Sequence, residues 1–115
     1  MAGSFVKASE AEAFVPPGHV GVITRRLITR PSAEAFEISL ASFKPGGYAE
    51  PHADDCDQAY YIIQGRAVAW VGSQKREVEA GTLVYIPKSM VHKIENIGES
   101  ELLLLVVSGP GHHPS

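Results

Sequence analysis

The stretch "EPHADDCDQAYYIIQG", residues 50–65, decides the reading of this chain. A lone histidine, His52, stands among acidic residues, and a β-forming run follows that stops at Gly65. On an extended strand, residues two apart project from one face, with Cα atoms roughly 6–7 Å apart. His52 and Asp54 can therefore converge on a single ion, and Glu50 has the same parity. Pro51 limits ladder pairing and suits a strand edge. Farther on, Gln58, Tyr60 and Ile62 share a face, which puts the glutamine amide at the polar end of a largely apolar pocket.

Outside this stretch the chain is regularly punctuated. "PPGHVG" (16–21), "KPGG" (44–47), "VGSQ" (71–74), "EAGT" (79–82), "IPKS" (86–89) and "NIGES" (96–100) are turn signals. The short runs between them are rich in Val, Ile, Tyr and Leu, which predicts an all-β sandwich or barrel of about ten strands. "AFEISLASF" (35–43) places Phe36, Ile38 and Leu40 on one face and Glu37 and Ser39 on the other. "KIEN" (93–96) turns Ile94 inward. "YYII" (60–63) and "LLLLVV" (102–107) do not alternate, as expected where a second layer or a partner subunit covers both faces. Trp70, Phe36, Phe43, Ile62, Val84, Ile86 and Leu104 are the expected core or interface residues. One helical turn is expected in "SEAEAF" (9–14), through a Ser9-x-x-Glu12 capping box. The expected organisation is an arm over 1–20, a barrel over 21–108 and a loose tail over 109–115 that includes His112 and His113.

With 115 residues, 44% of them hydrophobic and 20% charged, the chain suits one globular domain. A net charge of −3 gives no broad basic field for nucleic acid or anionic lipid. The basic pairs Arg25–Arg26 and Lys75–Arg76 read as exposed strand or turn residues. A single cysteine, Cys56, excludes an intrachain disulfide and reads as an unremarkable free thiol. The N-terminus lacks an apolar core of signal-peptide length, and "LLLLVV" is too short to span a bilayer. A cytoplasmic protein without membrane or nucleic-acid partners is expected.

A second histidine lies in "GTLVYIPKSMVHKIEN" (81–96), after a strand and a proline-containing turn. There His92 opens an alternating strand whose inward residues are His92, Ile94 and Asn96. Two imidazoles, one carboxylate and an amide oxygen form a nitrogen–oxygen set suited to Fe(II), Mn(II), Ni(II), Co(II) or Zn(II). The plainer alternative is a pair of hydrogen-bonded histidines in a metal-free barrel mouth, with Asp54 solvated beside Asp55 and Asp57.

The spacing of these residues resembles the two motifs of small single-domain cupins. The first motif of that family runs Gly, five residues, His, one, His, three or four, Glu, six, Gly; here Gly46, His52, Asp54, Gln58 and Gly65 keep it. The second runs Gly, five, Pro, one, Gly, two, His, three, Asn; here Gly81, Pro87, Ser89, His92 and Asn96 keep it. Asp54 stands in place of the second histidine, Gln58 in place of the glutamate, and Ser89 in place of a turn glycine. Glutamine at this position is similar to small cupins that open unsaturated uronate rings and to manganese-type hydroxynitrile lyases. Both groups keep the second histidine, so their substrates do not carry over. His52, Asp54 and His92 also resemble the two-histidine, one-carboxylate triad of non-haem Fe(II) oxygenases. No basic residue can be assigned from the sequence to a 2-oxo acid cosubstrate.

The resemblance implies a double-stranded β-helix (a jelly-roll barrel) that pairs as a homodimer. It implies one divalent transition metal held by His52, Asp54, Gln58 and His92, and a small-molecule substrate or ligand. Among Glu50, Tyr48, Tyr60 and Lys88, the residues assigned to proton transfer are Tyr60 and Glu50. The expected chemistry is a Lewis-acid isomerase or lyase step on a small polar organic molecule. The alternatives are oxygen chemistry at Fe(II) and a non-catalytic binding or accessory role.

Overall fold

The computed structural model describes residues 3–29 and 35–110. Period-two alternation builds most of its strands. In β4 (Gln58–Gln64), Gln58, Tyr60 and Ile62 are buried while Tyr61 and Ile63 face out. In β8 (His92–Asn96), His92, Ile94 and Asn96 are buried in the same rhythm. The remaining strands are β1 (Ala13–Phe14), β2 (His19–Ile28), β3 (Glu37–Ala49), β5 (Arg66–Val71), β6 (Gln74–Glu79), β7 (Leu83–Ile86) and β9 (Leu102–Ser108). Nine strands among the described residues stand against the expected ten or so.

All the pairings are antiparallel. The sheet runs β6-β5-β8-β3-β9-β4-β7, with β2 added along β3 and β1 along β2. The 13 residues of β3 turn the corner of the jelly roll. Its first half pairs with β9 from Glu37 to Phe43, whereas near its end Tyr48 pairs with Glu95 of β8. Gly47 permits this path, because a Cβ there would lie 2.6 Å from the Gly21 carbonyl oxygen. Phe43, Ile62, Ile86, Ile94, Leu102 and Leu104 fill the core, Val84 packs against it, and Trp70 is half-buried.

The structure corrects three expectations. Phe36 is 44% exposed, and the inward face of β3 is the one bearing Glu37, Ser39, Ala41 and Phe43, which line a cavity. "YYII" alternates after all; among the described residues nothing covers Tyr61 and Ile63, each 44% exposed. The helical turn is a 3-10 turn over Ala8–Glu10 with Lys7 as its cap residue. Ser9 lies inside that turn, so no capping box forms. The tail histidines, His112 and His113, lie outside the described residues.

Candidate metal centre

Hydrogen bonds between two distant segments bring the histidines together. His52 and His92 form an antiparallel bridge, His52 N donating to His92 O (3.1 Å) and His92 N to His52 O (2.9 Å). Such a hydrogen-bonded pair puts both side chains on one face. The rings accordingly lie 4.3 Å apart, centroid to centroid. Ser89 N donates to Asp54 O (2.8 Å), and Lys88 N donates to Asp57 Oδ1 (2.8 Å). The acidic loop is thereby stitched to the Pro87 turn along its length. Asp57 is part of that stitching, a role the sequence reading did not give it.

Asp54 Oδ2 lies 3.4 Å from His52 Nε2 and 3.7 Å from His92 Nε2. Ligand atoms of His52, Asp54 and His92 all fall within 4.8 Å of one another. Each ring is oriented from behind: Nδ1 of His52 meets Glu50 O at 2.9 Å and Nδ1 of His92 meets Met90 O at 3.0 Å. Since a carbonyl only accepts, Nδ1 carries the proton of each neutral ring, and Nε2 is left as the lone-pair donor.

Gln58 is buried and donates through Nε2 to Ser108 Oγ at 3.1 Å. Two buried acceptors at this centre, His92 Nε2 and Gln58 Oε1, have no hydrogen-bond partner among the described residues. Buried polar atoms are rarely left so. Two neutral imidazole nitrogens, a carboxylate and an orphaned amide oxygen match what a divalent transition ion needs, so the residues present fit such an ion.

The two imidazoles have their pKa values displaced in opposite directions. The Asp54 carboxylate raises the His52 pKa above its ordinary value, against the effect of burial. Desolvation by burial lowers that of His92. Tyr60 is buried, stands edge-on to the His92 ring at 6.0 Å, and has its phenol pushed well above the ordinary range by desolvation and then by Asp54. It is thus a hydrogen-bond donor near neutrality and a poor base. Glu50 is exposed at the cavity rim. Tyr48 lies under Lys93 Nζ, 5.4 Å from its ring centroid, and Lys88 is exposed; neither lines the cavity. Cys56 is buried and free, its thiol pKa raised by burial.

His52, Asp54, Gln58 and Tyr60 line one end of a cavity of about 430 Å³. That volume suits a small organic molecule. The sequence reading missed three of its titratable lining residues. His19 is a third histidine whose Nδ1 meets a carbonyl two residues back, Pro17 O at 2.9 Å, with its ring 6.0 Å from that of His52. The repeated "PGH" and "EPH" settings are the only sequence signal for it. Arg26, expected to be exposed, is half-buried and lines the cavity, as does Glu37.

Among the described residues no helix is long and apolar enough to cross a membrane. Comparison with known proteins agrees with the fold. The polyketide cyclase RemF from Streptomyces resistomycificus superposes with a TM-score of 0.84 at 22% identity, over 98% of this chain and 83% of that one, a likeness of fold. A protein of Mycobacterium tuberculosis named β-D-galactosidase is 31% identical over 102 residues, 87% of this chain and 88% of its own. An uncharacterized protein of Streptomyces coelicolor is 38% identical over 61 residues, 53% of this chain; the match spans only 56% of that relative. The Cupin domain family model matches residues 39–108, the span that holds both histidines, the carboxylate and the barrel core, and the chain belongs to the cupin family.

Proposed function

We propose that the protein is a metal-dependent enzyme acting on a small polar organic molecule, with His52, Asp54, His92 and Gln58 as ligands of one divalent transition ion. The observation that carries this reading is the convergence of three ligand atoms within 4.8 Å, from two segments far apart in sequence, with His52 and Asp54 lining a cavity of about 430 Å³. The ion would supply Lewis-acid polarisation of a carbonyl or hydroxyl oxygen, the chemistry of isomerase and lyase steps. The two imidazoles are held for ligation by their backbone carbonyls, and Asp54 brings negative charge. Ser108 orients Gln58 so that its oxygen, not its nitrogen, is presented. Tyr60 donates a hydrogen bond to bound substrate, and Glu50 at the rim moves the proton. His52, Asp54 and His92 equally suit an oxygen-activating Fe(II) site. Oxygen uptake with substrate, abolished when zinc replaces iron, marks that variant; retained turnover with zinc marks the Lewis-acid reading.

A glycoside hydrolase is the second reading, favoured by the name of the mycobacterial relative and by three carboxylates, Glu37, Glu50 and Asp54, along the cavity. It predicts hydrolysis of a nitrophenyl β-D-galactoside that survives chelator treatment. The metal reading predicts stoichiometric metal in protein purified without chelators or nickel resin, lost in His52→Ala and His92→Ala. Equal metal content in the wild type and both variants would remove it.

The partner we propose is a second copy of the chain. Tyr61 and Ile63 of β4 and Leu83 and Tyr85 of β7 form an exposed apolar patch, with Tyr61 paired to Leu83. Sedimentation at micromolar concentration should give a dimer, and Tyr61→Glu with Leu83→Glu a monomer.

A further inference from the structure

The cavity has a second polar end, away from the histidines. Thr24 and Arg26 share the inward parity of β2, and both line the cavity. Strand register shows how far apart the two ends are. Arg26 pairs with Ser39, Ser39 with Val106, and Val106 with Tyr60. Arg26 and Tyr60 therefore stand on one rung, three strand spacings apart, about 14 Å along the sheet and less across the curled barrel. Between these ends the wall is mostly apolar, with Ala41, Phe43, Leu104 and Val106. A ligand filling this space has two polar ends and a short apolar middle.

The setting of Arg26 suits it to bind an anion. Its guanidinium carbon lies 4.0 Å from the centroid of the Phe14 ring, so one face of the group is covered and its N–H donors point along its edges. Its ion pair with Glu12 is 3.9 Å long, beyond hydrogen-bond distance, and the Glu12 side chain is 76% exposed. Such a pair is weak and readily exchanged for a better-placed carboxylate. A planar fork of donors matches a carboxylate in two-point geometry.

We propose that Arg26 is a specificity-determining residue that takes the distal carboxylate of a small hydroxy or oxo acid, whose oxygen-rich head lies against His52 and Asp54. The assignment rests on the metal-centre reading above for the position of the head, while the Arg26 contact itself needs no metal. Glu37 lines the same end.

The test compares two acids that share a head and differ only at the tail, 2-hydroxyglutarate and 2-hydroxypentanoate. Their binding is measured by calorimetry on the full chain supplied with Zn(II), with zinc content determined on the same samples. The wild type should bind the diacid about tenfold or more tightly than the monoacid. Arg26→Gln should abolish that preference by weakening the diacid alone, with zinc content unchanged. Arg26→Lys should keep part of the preference, since a point charge remains without the fork. Equal or undetectable binding of the two acids by the wild type overturns the assignment, and so does an Arg26→Gln variant that weakens both alike. A wild type without zinc that still selects the diacid through Arg26 upholds the assignment and discards the metal reading. A zinc-loaded wild type that binds both acids equally does the reverse.

Discussion

His92 is 2% exposed and opens a strand inside the sheet, whereas His52, across the bridge from it, is 35% exposed and sits in the loop between β3 and β4. Both rings have Nδ1 tied to the carbonyl two residues back. The chemistry presented is the same, but it is held in place differently. β8 pairs with β5 along its whole length, so the position of His92 follows from the barrel itself. The 50–57 loop has no such ladder and is placed by single hydrogen bonds, most of them to the second segment and one each to Gly18 and Gly109 at its ends. One side of the centre is thus a template, and the other is recruited to it.

The largest expected effect breaks that asymmetry directly. His92→Ala leaves a cavity in the packed wall and should cost about 2–4 kcal/mol in chelator-treated protein. His52→Ala, in a half-exposed loop, should stay within about 1 kcal/mol of the wild type. Both should lose the metal. Denaturant unfolding with elemental analysis reads the two effects separately, and equal destabilisation would show that the loop is as much a part of the core as the strand.

Removing a tether should act on the recruited side alone. Asp57→Ala deletes the acceptor of the Lys88 N–H and should cost about 1 kcal/mol. Metal affinity should fall about tenfold, although no ligand is touched, because an orienting contact is lost. Unchanged affinity would mean that the backbone hydrogen bonds at His52 and Asp54 are sufficient without it. Ser108→Ala makes the matching test at Gln58. If the amide oxygen is a ligand, losing its orienting partner should weaken metal binding by up to about tenfold, whereas an affinity unchanged in competition titrations would make Gln58 a packing residue.

The same contrast explains what could be read from the sequence. The turn spacing showed an all-β chain, and the fixed intervals from Gly46 to Gly65 and from Gly81 to Asn96 brought His52, Asp54 and His92 to one place. Such intervals are legible because a strand has a fixed rise and a fixed alternation. The orientation of β3 was not legible. Its apolar residues, Ile38 and Leu40, lie on the face away from the cavity, while Glu37 and Ser39 line it. In a barrel that encloses a polar-ended cavity, hydrophobic alternation stops marking the inside. Arg26 was misread for the same reason, since a charged residue on a strand defaults to solvent. Asp57 was hidden because its acceptor role depends on a turn thirty-one residues away.

Ser89 carries a smaller cost of the same local geometry. It is the only non-glycine residue with positive φ among those described, at 67°, in the turn that donates to Asp54. A left-handed residue with a side chain is strained by about 1–2 kcal/mol. Glycine there gives back about 0.5–1 kcal/mol through the unfolded chain. Ser89→Gly should therefore stabilise the protein by about 0.5–1 kcal/mol, a rise of a few degrees in Tm. A fall in Tm would show that the serine side chain makes a contact worth more than the strain.

The finest test of the asymmetry is the titration of the two rings in chelator-treated protein, followed by NMR of the imidazole carbons. The raised pKa of His52 comes first from Asp54 and the lowered pKa of His92 first from desolvation, so the rings should titrate on opposite sides of 6.5. The sign for stability follows. The contribution of His52 is fully present below 6.5 and is lost as pH rises through its higher folded value. His92 acts oppositely: its buried neutral ring favours the folded state above 6.5, and that advantage is lost as pH falls through its lower folded value. Asp54→Asn separates the two causes, because it removes the charge that holds the proton on His52 and leaves the burial of His92 in place. His52 should then titrate lower than in the wild type while His92 stays below 6.5. If His92 fell as far as His52 in that variant, the carboxylate would be serving them equally, and the division into template and recruited loop would not extend to their protons.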